Sequence, residues 1–148
     1  EKNLMELCQQ TFNIYGMNLE ELINQHNWQI WQYKNNLHCF PYAFLQFFPD
    51  FPIQSLGLPF AEINGDEFIL SHEFITRFGR NAQRNLMTLT KDQISTWFRG
   101  EDLRNTTSSG APVQIMIDED RNVIGRGKPA ADRLRNLLPK RALIPDLI

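Results

Sequence analysis

The chain has 148 residues, 42% of them hydrophobic, with 15 basic and 17 acidic side chains and a formal net charge of −2. That length holds one domain or two small ones around a shared core, and the composition is that of an ordinary soluble globular protein. No run approaches the roughly eighteen apolar residues of a membrane span, and no signal-peptide pattern opens the chain.

The chain begins at Glu1 rather than Met, so a fragment of a larger protein is expected. Cys8 and Cys39 lie far apart and in no metal-ligand spacing, which points to two reduced thiols in a cytoplasmic protein.

Asn18 is placed to cap a short helix through Leu19, Leu22 and Ile23, with Glu20 and Glu21 in its first turn. From Trp28 the pattern changes to alternation: Trp28, Ile30, Tyr33, then an Asn35-Asn36 turn and an apolar run from Leu37 to Phe40, which reads as a hairpin. Trp28, Trp31, Tyr33, Phe40, Tyr42, Phe44, Phe47, Phe48 and Phe51 crowd this region. Such density suits either a core or a base-stacking platform; with Lys34 the one cation among them, core is the preferred reading.

Pro41, Pro49, Pro52 and Pro59 keep the following stretch short and irregular. Phe60–Ile63, an Asn64-Gly65 turn and Phe68–Leu70 form the clearest hairpin signal. Ser71 then caps a helix containing Phe74, Ile75 and Phe78 that ends near Gly79. Thr90 and Gln93 fit a capping box for a second helix, with Ile94, Trp97 and Phe98 as its apolar face and Gly100 as its stop. Asn105 to Gly110 reads as a loop. Val113–Ile117 is a strand, Asp118 to Asn122 a turn, and Val123–Lys128 the return strand. Gly125 and Gly127 within that strand imply a bulge, a close backbone approach, or room for a phosphate near the main chain.

Charge is unevenly distributed. Residues 1–75 hold two basic and nine acidic side chains, while residues 76–148 hold thirteen basic and eight acidic. Between positions 121 and 141, Arg121, Arg126, Lys128, Arg133, Arg135, Lys140 and Arg141 face only Asp132 in opposition. A basic cluster of this kind, rich in arginine, matches a phosphate backbone, because binding there is driven by counterion release. A solvated charged face is the alternative.

Catalytic patterns are missing. The sequence has no phosphate-binding glycine loop, zinc-protease motif or dinucleotide fingerprint. His26, His38 and His72 are scattered, and Asp118-Glu119-Asp120 fits a solvated turn better than a metal loop. Neither a cofactor nor a metal is expected.

Five segments carry a resemblance. They are Leu56-Gly57-Leu58 with Phe60-Ala61-Glu62; Phe68 to Phe74 around Ser71-His72; Trp97-Phe98-Arg99-Gly100-Glu101-Asp102-Leu103; Val123 to Lys128; and Arg133-Leu134-Arg135-Asn136 with Pro139-Lys140. In order and spacing these resemble the C-terminal region of ribosomal-RNA cytosine-C5 methyltransferases of the Nol1/Nop2/Sun (Fmu) family, and the stand-alone ribosome-biogenesis relatives of that region. Phe98 and Arg135 stand where the family has leucine and lysine.

The resemblance implies an α+β protein: a small mixed α/β part with an aromatic-rich core over residues 1–85, then a PUA-like mixed β-barrel that binds RNA over residues 86–148. It implies ribosomal RNA as partner and a methyltransferase domain in cis or in trans. Arg126, Lys128, Arg133, Arg135, Lys140, Arg141, Arg99 and Arg121 are the expected RNA contacts. The family's S-adenosylmethionine-binding domain and its two cysteines find no counterpart, since Cys39 precedes Phe40-Pro41 rather than proline. The chain alone is therefore expected to be a monomeric, cytoplasmic binding module and not an enzyme. A protein-interaction domain and an enzyme using His72 are the rival readings.

Overall fold

Four helices and two sheets make up the described part of the chain, which in the computed structural model comprises residues 2–43, 57–104, 106 and 109–145. Helix α1 (Lys2–Tyr15) and helix α2 (Leu19–His26) precede the first sheet. That sheet is antiparallel, in the order β1 (Trp28–Tyr33), β2 (Asn36–Pro41), β3 (Leu58–Asn64), β4 (Glu67–Leu70). Helix α3 (His72–Phe78) follows, with the Ser71 side chain accepting from Phe74 N as its N-cap.

Both expected hairpins form, each with its turn moved by one residue. Tyr33 pairs with Asn36 and Asn64 with Glu67, so the loops are Lys34-Asn35 and Gly65-Asp66. In the second, Gly65 takes the positive φ of 61° at the first loop position, which leaves Asn64 in the ladder. In the first, Lys34 has a φ of 53° and its carbonyl accepts from Gln32 Nε2 at 2.7 Å.

Helix α1 was not legible in the sequence. Its inner stripe is Leu7, Thr11 and Tyr15, all 2% exposed or less, and a buried threonine breaks the apolar repeat. Met5 and Phe12 remain exposed at 79% and 52%, so apolar residues ring the helix instead of marking one side. Gly16 ends it in the left-handed region, with φ 66°.

The aromatics of the first sheet are mostly packed. Trp28 lies against His26 and Phe78, with ring centroids 4.8 and 5.0 Å away, and Phe40 is buried. Tyr33 and Tyr42 are exposed. The expectations for Phe44, Phe47, Phe48, Pro49, Phe51 and Pro52 lie outside the described residues, as does part of the loop expected over Asn105–Gly110.

The second sheet has the order β5 (Leu86–Thr88), β7 (Gln114–Ile117), β8 (Val123–Pro129), β9 (Arg133–Asn136), β6 (Leu103–Arg104), and it curls into a half-barrel. Only the β5–β7 pairing is parallel. Helix α4 (Lys91–Phe98) begins at the expected capping box of Thr90 and Gln93. It lays Trp97, fully buried, on one face of this sheet beside Leu89, Leu103, Met116 and Leu134.

Gly125 and Gly127 admit that indole. A Cβ on Gly127 would sit 2.7 Å from Leu134 Cγ and 2.8 Å from Trp97 Cη2. One on Gly125 would meet Leu138 Cδ2 at 2.9 Å. The close approach expected of these glycines is therefore to core side chains. The register shift near Met116/Ile117 supplies the expected bulge.

A second, larger core runs through both sheets, joining Leu7, Phe60 and Phe74 to Ile115 and Ile117. The last carbonyls of α1 take bonds from the segment leading into β5. Tyr15 O accepts from Gln83 N at 2.7 Å, Ile14 O from Asn85 Nδ2 at 2.6 Å, and Phe12 O from Arg84 Nη2 at 2.7 Å. Tyr15 Oη donates to Val113 O at 2.8 Å.

The glycine at 127 has no backbone need for glycine, so its substitution isolates packing. Gly127→Ala is expected to cost about 2 kcal/mol or more by overpacking. Thermal denaturation should show a fall in Tm of about 4–8 °C.

Candidate nucleic-acid interface

Side chains alternate along a strand, so one face of the second sheet can be read from its register. Gly125, Gly127, Leu134 and Leu103 face Trp97. Arg126 and Lys128 on β8, Arg133 and Arg135 on β9, and Arg104 on β6 take the opposite face. Lys128 stands directly across from Arg135, and Arg133 directly across from Arg104. All four are exposed.

Like charges placed opposite one another oppose sheet formation by roughly 0.2–1 kcal/mol per pair. Two such pairs in neighbouring ladders make a surface that an anion would relieve. Among the described residues, Lys128, Arg135 and Arg104 have no carboxylate partner. Arg133 Nη1 lies 3.4 Å from Asp102 Oδ2, both side chains being partly exposed.

Arg104 was absent from the residues the sequence singled out. It sits seventeen positions before the basic stretch begins, on a strand of only two residues. The available signal was the Leu103-Arg104 pair, an apolar residue beside a cation, too short to show a period.

The other expected contacts are placed differently. Arg126 shares the face, but its Nη1 donates to Leu70 O at 3.0 Å and its guanidinium is half-buried between the sheets. Burial lowers its pKa, while Glu73 and Glu62 oppose that shift. Arg141 pairs with Glu73 on α3. Arg121, at the β7–β8 turn, reaches the carbonyls of Arg80 and Ala82 at 3.4 and 3.3 Å. Arg99 ends α4, on the other side of the sheet, and pairs with Glu101 at 2.7 Å. Lys140 is exposed in the 3-10 turn Lys140–Ala142.

The candidate catalytic groups are occupied by structure. Asp118 uses both carboxylate oxygens inside its own turn, accepting from Asp120 N, Asn122 N and Asn122 Nδ2 at 2.7–2.9 Å. Burial pushes the Cys39 thiol up to about 12, with Arg77 opposing, and burial also raises Cys8; thiols so placed are poor nucleophiles. Both are free and unpaired as a disulfide.

His72 Nε2 lies 3.4 Å from Thr76 Oγ1, whose hydroxyl donates to His72 O at 2.6 Å. Its Nδ1 is buried. Burial holds the imidazole below its ordinary range; Glu73 opposes this, and Arg126 and Arg141 add to it.

Asn136 closes the sheet onto α4. Its Nδ2 donates to Trp97 O at 2.8 Å and Glu101 O at 3.0 Å, and its Oδ1 accepts from Leu138 N at 2.9 Å. This is a turn role, with the amide spent on backbone groups. The neighbouring leucines point to different cores: Leu134 to that of Trp97, Leu137 to the larger one.

No family model matches the chain. Curated relatives do. The chain is 29% identical over 121 residues to "Ribosomal RNA small subunit methyltransferase F" of Psychromonas ingrahamii, an alignment covering 79% of the chain and 25% of that protein. For the protein of the same name from Vibrio cholerae serotype O1 (strain M66-2) the figures are 27% over 139 residues, 94% and 28%. For that of Escherichia coli (strain SE11) they are 26% over 127 residues, 84% and 25%.

The chain is homologous to a segment of these methyltransferases. It spans about a quarter of their length, a share consistent with the C-terminal region that its motifs resemble.

Two of the segments that carry the resemblance meet in space. Asp102, in the Trp97–Leu103 segment, accepts from Asn136 N at 2.8 Å and faces Arg133, both in the Arg133–Asn136 segment. Their coincidence in sequence thus has a structural counterpart: together they hold α4, β6 and β9 to one another, with the cations on the side away from α4.

Asn136→Ala removes three side-chain bonds to backbone and should cost about 2 kcal/mol, whereas Arg135→Ala should leave Tm within about 1–2 °C of the parent; thermal melts of both variants decide.

For His72, the folded pKa lies below the unfolded value of 6.5, so the native state resists protonation. Its contribution to stability is complete above that pH and is lost as pH falls below it. The decline in Tm from pH 7.5 to 5.5 should be shallower in His72→Gln than in the parent.

Proposed function

We propose that the chain is an RNA-binding module, related to the rRNA methyltransferases but acting without catalytic machinery of its own. On this proposal residues 86–148 form a PUA-like RNA-binding domain and residues 1–85 the α/β domain that packs beside it. The partner is ribosomal RNA, delivered to or held for a methyltransferase domain supplied in cis or in trans. The module is a cytoplasmic monomer and needs no cofactor.

The observation that carries the proposal is the pair of like-charged cross-strand neighbours, Lys128 with Arg135 and Arg133 with Arg104, on an exposed sheet face. A sheet gains nothing in stability from that arrangement, and a polyanion gains an organised set of donors from it. The relatives' name, ribosomal RNA small subunit methyltransferase, supports RNA as that polyanion. Catalysis by His72 has no support in its surroundings, since a buried Nδ1 and a threonine partner do not make a base and nucleophile poised at an open cleft. Among the described residues no helix is long and apolar enough to cross a membrane.

Affinity for labelled small-subunit rRNA fragments, measured across salt concentrations, tests the proposal. Contact with about four to six phosphates predicts a slope of log K against log salt of roughly −3 to −5, and Arg135→Ala should reduce its magnitude by about one. A flat salt response would instead favour docking through the apolar groove where Leu4, Met5 and Phe12 of α1 face Leu19 and Ile23 of α2.

A further inference from the structure

We infer that the cationic face binds the backbones of double-helical RNA, indifferent to base sequence, and that Arg104 is one of its contact residues. This deepens the RNA-binding function proposed above and rests on it.

The first ground is what the face lacks. Reading of single strands depends on aromatic rings against which unpaired bases stack. From Leu86 to Ile148 the sequence contains two aromatic residues, Trp97 and Phe98, and both lie on α4. Trp97 is fully buried, and α4 packs on the side of the sheet away from the cations. Neither ring of residues 86–148 lies on the cationic face to offer itself to a base.

The second ground is the shape of the array. Lys128, Arg135, Arg133 and Arg104 are spread over three adjacent strands, with Arg133 and Arg135 two positions apart on the middle one. Strand spacing makes this field about 10 Å across the strands and roughly 7 Å along them. It is a field of charge spread over three strands and not a single row tracking one backbone. A field of long cationic side chains spread both along and across the strands fits phosphates of two strands flanking a groove, the surface a duplex presents.

The third ground is the pairing of like charges. Lys128 facing Arg135, and Arg133 facing Arg104, are relieved by an anion between them and not by a neutral base. Guanidinium stacking on bases would leave that repulsion in place. Asp102 answers part of the charge on Arg133, so Lys128, Arg135 and Arg104 are the cations most in need of phosphate.

The test uses the full chain and fluorescence anisotropy at about 50 mM salt, with three labelled RNAs of equal length: a duplex, a second duplex of scrambled sequence, and a single strand without self-complementarity. Both duplexes should bind equally, and at least tenfold more tightly than the single strand. Arg104→Gln and Lys128→Gln should each weaken duplex binding about three- to tenfold without moving Tm, and each should reduce the magnitude of the salt slope by about one.

Single-strand binding as tight as duplex binding would overturn the duplex inference while leaving RNA binding intact. An unequal response to the two duplexes would overturn sequence indifference. Unchanged affinity in Arg104→Gln would remove Arg104 from the site. Failure of all three RNAs to bind would overturn the underlying RNA-binding function itself.

Discussion

The indole of Trp97 is the contact on which the second half of the molecule depends. It occupies the space left by two glycines on β8, and the backbone carbonyl of Trp97 accepts from Asn136 Nδ2 at the end of β9. That places α4 firmly on one face of the sheet. Strand alternation then leaves the other face no choice: with Gly125, Gly127 and Leu134 turned toward the ring, Lys128, Arg133 and Arg135 must point away from it. The cationic surface is thus the reverse side of a packing solution. A substitution that shifted the pleat by one residue would bury the charges and expose the leucines together.

Within the cations, burial sorts roles that charge alone does not separate. Arg126 and Arg141 belong to the seam with α3, where Glu73 draws both. Burial would raise the Glu73 carboxyl, but its own backbone N–H and the Arg141 guanidinium outweigh that and hold it below the ordinary range. Arg121 serves two backbone carbonyls. These arginines are anchors between elements, and each would have to give up a partner to meet a phosphate. Among the described residues, Lys128, Arg135 and Arg104 have no carboxylate to give up.

Much of the architecture was legible because its signals are local. Ser71, Thr90 and Gln93 announce helix starts through side chains that bond backbone within three residues, and the structure forms both caps. The hairpins were legible from alternation, while their turns were displaced by one residue because the loop position of positive φ fell to Gly65 and Lys34. Helix α1 was hidden by Thr11 within its buried stripe and by Met5 and Phe12 outside it. At the interface, charge density located β8 and β9 but not Arg104, whose place is fixed by pairing with a strand thirty residues later. Nor could density distinguish Arg126 from Lys128, since the carbonyl that takes up Arg126 belongs to β4. What the sequence conceals is consistently what depends on distant segments.

The bond from Tyr15 to Val113 spans 98 positions of chain. A contact that remote is slow to find by diffusion of an unfolded chain, and it places the protein among topologies whose folding rate is limited by long-range closure. During synthesis it has a further meaning. At ribosomal speeds of about 5–20 residues per second, roughly 5–20 seconds separate the emergence of α1 from that of its partner strand. For that interval the core around Leu7 and Tyr15 lacks Val113, Ile115 and Ile117, and the apolar ring that obscures α1 in the sequence becomes a surface on which a nascent chain is vulnerable to association.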